Sequence, residues 1–70
     1  MYNVVVSDNR RVIATSLQDE LAVAVAYGRQ LGRKGNRITI YDSLQDATGE
    51  IVNLSEVLTM ILEEDPKSYT

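Results

Sequence analysis

Few residues in this 70-residue chain are equipped for chemistry. There is no Cys and no His. That removes thiolate nucleophiles, disulfides and thiolate metal sites, together with the commonest general base and metal ligand. A nucleophile would have to be Ser7, Ser16, Ser43, Ser55 or Ser68, with Lys34 or Lys67 as its base. Ser16 and Ser55 are better read as helix caps, and Ser68 as part of a tail. Asp42, Asp46 and Glu50 bracket one loop, where paired carboxylates can exchange protons or meet a hard cation such as Mg²⁺. Their offsets do not fit a calcium loop, and they read as solvated acids. The stretch Gly28-Arg-Gln-Leu-Gly32-Arg-Lys-Gly35 has the look of a phosphate loop but lacks its spacing and the hydroxyl after Lys34. It also falls at a helix C-terminus, where the dipole disfavours anions. No catalytic residue, cofactor-binding residue or metal ligand is assigned, and the expectation is a protein that is not an enzyme.

Charge is the more informative chemistry. Residues 1–37 hold six of the seven basic side chains and three acids, whereas residues 38–70 hold seven acids and Lys67 alone. The halves carry formal charges of +3 and −6 within a net charge of −3. A helix dipole accounts for Arg29 and Arg33 in a last turn. It does not account for Lys34, Arg37 or the pair Arg10-Arg11. Were these six to converge, they would form a nucleic-acid-binding surface, although no aromatic residue is interleaved to stack bases. Glu63, Glu64 and Asp65 are also out of place as the end of a second helix, where negative charge is mildly unfavourable. They read as solvated or as docking against a basic surface.

The elements that must position these charges follow from periodicity. Tyr2, Val4 and Val6 alternate over 2–7 and predict a strand. Asp8-Asn9-Arg10 is a turn, and 11–15 a second strand completing a hairpin. Ser16 predicts a helix N-cap with Asp19 and Glu20 in the first turn. Leu17, Leu21, Val25 and Leu31 supply an apolar stripe, and Gly32 or Gly35 an end. Ala24, Gly28 and Gly32 recur at every fourth position, which places the helix close on a sheet or on a second helix across a dimer axis. Residues 37–42 predict a third strand, 43–49 a loop and 50–54 a fourth strand. Ser55 then predicts a second helix burying Val57, Leu58, Ile61 and Leu62, which Pro66 stops.

The expected fold is thus α+β: a two-layer ββαββα domain over 1–66, with a mostly antiparallel four-stranded sheet, two helices packed on one face, and a flexible tail at 67–70. The bare sheet face, with Val5, Ile13 and Tyr41, is a candidate partner surface. No apolar run reaches a membrane span and no signal-peptide pattern opens the chain, so a cytoplasmic protein is expected. So short a chain without staples is helped most by homodimerisation.

The leading expectation is a small non-catalytic protein-binding module. Its surface would comprise Val5, Ile13 and Tyr41 with the acids Asp42, Asp46, Glu50, Glu56, Glu63, Glu64 and Asp65. The alternatives are a nucleic-acid-binding regulator using Arg10, Arg11, Arg29, Arg33, Lys34 and Arg37, and a structural homo-oligomer subunit. No cofactor is called for. In size, charge and layout the chain resembles the small, Cys-poor acidic proteins encoded by bacteriophages and other mobile elements, some anti-CRISPR inhibitors among them. That resemblance implies an inhibitor that occupies a partner's nucleic-acid-binding surface. It carries no functional residue across, because no motif supports it.

Overall fold

Tyr2, Val4 and Val6 point to one side of an extended chain because side chains alternate along a strand. This strand, β1 (Tyr2–Asp8), turns through Asn9 and Arg10 into β2 (Arg11–Gln18). Both turn residues have positive φ, 47° and 68°, the backbone pattern of a two-residue type I′ hairpin loop. Helix α1 (Leu21–Leu31) follows, then β3 (Arg37–Gln45) and β4 (Ile51–Ile61). The computed structural model describes residues 1–66; the expected tail at 67–70 lies outside the described residues.

All neighbouring strands are antiparallel, in the order β2-β1-β3-β4. The two hairpins therefore join through their first strands, and α1 carries the chain from β2 across β1 to β3. Val4 and Val6 of β1 face Ile40 and Ile38 of β3 in register, and all four are fully buried beneath the helix. Ala24 and Leu62 complete this small core.

The row of small helix residues seats α1 on the sheet. A Cβ placed on Gly28 would lie 2.6 Å from Ile38 Cγ2. Of the two readings of Ala24, Gly28 and Gly32, close approach to the sheet is the one the geometry accounts for. At the helix end, the Gly32 N–H donates to the Gly28 carbonyl, so the predicted terminus at Gly32 is found.

Two expectations fail. There is one helix, not two: residues 51–61 form a single long strand, and the order is ββαββ. Ser55 is not a cap but a strand residue opposite Asp42. β3 is nine residues long. Its edge away from β1 needs a partner along the whole strand, and a helix from 55 onward would have denied one to residues 37–42, which pair with 55–61. The β-branched residues Val57, Thr59 and Ile61 suit that extended form. Secondly, α1 starts later than expected. Ser16 lies in β2 opposite Val4, and its hydroxyl accepts from Gln18 Nε2 at 2.8 Å. Asp19 and Glu20 precede the helix, whose first turn contains no acid, and Glu20 makes no capping bond through its side chain.

Because α1 touches β1, β2 and β3 but not β4, the β4 side of the sheet lacks a cover on the helix side. Leu58 and Met60 of β4 lie there, half-buried against the core. The ends of β3 and β4 also run past the start of β1 as a projecting hairpin arm.

Candidate functional site

The arm begins where β1 ends its pairing. Tyr2 faces Asp42, and the Met1 carbonyl accepts from the Ser43 amide at 2.7 Å. The Ser43 hydroxyl also donates to the Met1 carbonyl at 3.0 Å. The N-terminal ammonium reaches Asp42 Oδ1 at 3.7 Å. Beyond this point β3 has β4 as its sole neighbour. Leu44, Ile51, Val52 and Leu54 are 63%, 44%, 57% and 50% exposed. By register Leu44 lies on the helix side of this two-stranded projection and Ile51, Val52 and Leu54 on the other, so both faces of the arm carry large apolar side chains that the rest of the described residues leave bare.

The tip of the arm is built by Asp46. Its Oδ1 accepts from the Thr48 hydroxyl at 2.6 Å, the Thr48 amide at 2.9 Å and the Glu50 amide at 3.1 Å. Gly49 takes φ 85°, a left-handed value that closes the loop, and its N–H donates to the Asp46 carbonyl at 3.1 Å. The Thr48 hydroxyl bond, above all, holds the Asp46 carboxyl below its ordinary pKa, with the Thr48 amide next in effect. A depressed carboxyl contributes order that is present above its unfolded-state pKa and lost as pH falls through its folded one. The tip should therefore stay ordered at neutral pH and loosen only below about pH 4. Asp46→Asn should speed amide exchange at Thr48 and Glu50 at pH 7; unchanged exchange would show that the carboxylate does not organise the tip.

Charge sorts differently in space than along the chain. The β1–β2 turn, the C-terminal end of α1 and the start of β3 lie at the same end of the sheet. They bring Arg10, Arg11, Arg29, Arg33, Lys34 and Arg37 together there. β4 returns to that end too, so Glu63, Glu64 and Asp65 join the basic residues, with Asp8 nearby. The Lys34 amide donates to Asp65 Oδ1 at 2.9 Å, and the Gly35 amide to the Leu62 carbonyl at 2.8 Å. A groove lined by Arg29 and Gln30 faces Met60–Pro66. A shallow pocket places Arg10 and Arg37 beside Ser7, Asn9 and Ile61. The expected basic pole is therefore a mixed surface of six cations and four acids. The opposite end holds Asp19, Glu20, Asp42, Asp46 and Glu50 with no basic side chain among the described residues. One pole survives, and it is acidic.

The residues expected to form one partner surface fall in three places. Val5 and Tyr41 are half-buried on the sheet face away from α1, and Ile13 is exposed at a bulge of β2 on that same face. Glu56 lies opposite Tyr41 on that face and accepts a bond from the Thr59 hydroxyl. Asp42, Asp46 and Glu50 belong to the arm, and Glu63, Glu64 and Asp65 to the mixed end. Leu44, Ile51, Val52 and Leu54 were missed, because Leu44 was expected inside a loop at 43–49 and the other three in a short strand between that loop and a helix. Their signal was the apolar stretch Ile51-Val52-Asn53-Leu54 just after a hairpin tip at Thr48-Gly49, with Leu44 alone on the other side.

Among the described residues no three acids converge into a group able to hold a metal ion. No helix among them is long and apolar enough to cross a membrane. No family model, curated protein or solved structure matches this chain.

Proposed function

We propose that the protein is a small cytoplasmic protein-binding module that engages its partner with the β3–β4 arm. The observation that carries this reading is the pairing of four exposed apolar side chains on the arm with Asp42, Asp46 and Glu50 around them. A partner that fits this surface offers an apolar cleft rimmed by Lys and Arg. Burial of Leu44, Ile51, Val52 and Leu54 supplies the affinity, and the acids steer encounter and set orientation. Clefts of that kind include the nucleic-acid-binding grooves of other proteins, so an inhibitor that occupies such a groove is the specific form of the proposal. It agrees with the likeness in size and charge to phage and mobile-element proteins. Val5, Ile13, Tyr41 and Glu56 form a second contact face if the partner wraps the sheet.

The test is capture of a defined partner by immobilised protein, compared with a Leu44→Ser/Leu54→Ser variant. Both positions are solvent-exposed, so the fold is retained while the apolar contact is removed. The variant should lose at least tenfold in affinity, about 1.4 kcal/mol. Capture that is equal for both proteins would dismiss the arm. Retardation of DNA or RNA by the protein alone at about 50 mM salt, lost steeply as salt rises, would instead favour the regulator reading through Arg10, Arg11, Arg29, Arg33, Lys34 and Arg37.

A further inference from the structure

Strand β2 is an outer edge of the sheet, and one row of its backbone donors and acceptors has no strand beside it. An uncovered edge is a template for pairing with another chain. Above this edge lies an apolar flank of α1. Arg29 faces the opposite way, into the groove against Met60–Pro66. Tyr27, two residues before Arg29, stands about 160° away around the helix. Val23 and Leu31 share its row, and the three are 37%, 47% and 40% exposed. On the helix side of β2, beneath this flank, Ala14 and Ser16 are short and leave room.

Charges bracket the same edge. Arg10 and Arg11 stand at its start, Asp19 and Glu20 just past its end, and all four are exposed. None of them forms an ion pair among the described residues. Arg10 holds a φ of 68°, where Asn or Gly is the ordinary residue.

We propose that β2 pairs antiparallel with β2 of a second copy of this chain. The product is a closed two-fold dimer with one continuous sheet and the two α1 helices side by side over the seam. Antiparallel pairing brings the start of each strand to the end of the other. Arg10 and Arg11 of each copy then meet Asp19 and Glu20 of the other, so the edge is complementary to itself. Heterologous pairing of β2 with β4 would leave edges open and grow without limit. One partner thus satisfies the bare backbone row, the Val23–Tyr27–Leu31 flank and four unpaired charges together. The ion pairs at the rim of the interface fix register more than they add affinity. In this dimer the two arms project from opposite ends, which makes the assembly bivalent.

Sedimentation of the full chain tests the proposal. The wild type should be a dimer. Arg10→Glu/Arg11→Glu and Asp19→Lys/Glu20→Lys should each weaken self-association at least tenfold by setting like charges face to face. Mixed in equal amounts, the two variants should re-form dimers, because every facing pair is again opposite in sign. A second measurement needs no variant. Amides of β2 in the wild type should be protected from hydrogen exchange in the concentrated protein and lose that protection on dilution. A wild type that stays monomeric up to about 1 mM overturns the proposal. So does a dimer that both reversals leave intact, which would point to the β4 edge. Failure of the mixture to pair, or β2 exchange independent of concentration, overturns it equally.

Discussion

Ile38→Ala should remove most of the protein's stability at 25 °C. Ile38 is fully buried, faces Val6 on one side and Met60 on the other, and packs against the backbone of α1 at Gly28. Truncating such a residue costs about 2–5 kcal/mol, since the lost burial is joined by the cavity left behind. The whole stability of a domain this small, without disulfide or metal, is about 3–5 kcal/mol. One truncation therefore consumes most of it. Among the described residues only six hydrophobic ones make up the buried cluster, because α1 covers only part of the sheet. The surface offers the contrast. Ile61 is 59% exposed, and Ile61→Ala should cost about 0.5 kcal/mol or less and barely move the urea midpoint. Circular dichroism through a urea titration separates the two. Equal midpoints would mean that the core is not centred on Ile38.

The first half of the fold was legible in the sequence. The alternation of Tyr2, Val4 and Val6 has one physical reading, a strand with one buried face. Asn9 tolerates the left-handed backbone that its turn requires. Gly32 marks the end of α1. In the second half β3 and the start of β4 were legible too, but the course of the chain after Leu54 was not, because apolar residues at 57, 58, 61 and 62 suit a helix face as well as a strand buried from one side. Partner length decided between them, and no local pattern records it.

That choice also moved the site. Eleven residues span about 16 Å as a helix but about 37 Å as a strand. As a strand they carry Glu63, Glu64 and Asp65 the length of the sheet, back to Lys34 and Arg29. The acidic stretch was therefore visible in the sequence and its location was not. Asp42, Asp46 and Glu50 kept their place, since a hairpin tip lies at the same end under either reading. The starting point of α1 was lost for a smaller reason. Ser16 and Leu17 continue the alternation of β2, and ladder bonds to Val4 and Asn3 outweigh what a single cap would contribute.

Gly28→Ala should destabilise the protein although it improves the helix. In a solvated helix the exchange favours Ala by about 1 kcal/mol, because Gly loses more backbone freedom on folding. Here the added methyl would lie 2.6 Å from Ile38 Cγ2 and 3.4 Å from Val4 Cγ1. Ile38 Cγ2 hangs directly from a β-branched carbon on a central strand, so it cannot swing aside without moving backbone paired on both sides. Overpacking of this kind costs about 1–3 kcal/mol, which outweighs the gain at the upper end of that range. The expected net loss of about 1 kcal/mol lowers Tm by about 4–8 °C. Gly32→Ala meets the ends of side chains instead, Leu62 Cδ1 at 2.6 Å and Ile38 Cδ1 at 3.0 Å, which can turn away. Its loss should be the smaller of the two. The decisive comparison joins both predictions of this section. Once Ile38→Ala has removed Cγ2, the methyl of Gly28→Ala enters a cavity instead of a clash. The same substitution should then raise Tm, and its effect changes sign with its neighbour. A Gly28→Ala protein that melts above the wild type would place α1 farther from the sheet than Ile38 and Val4 require.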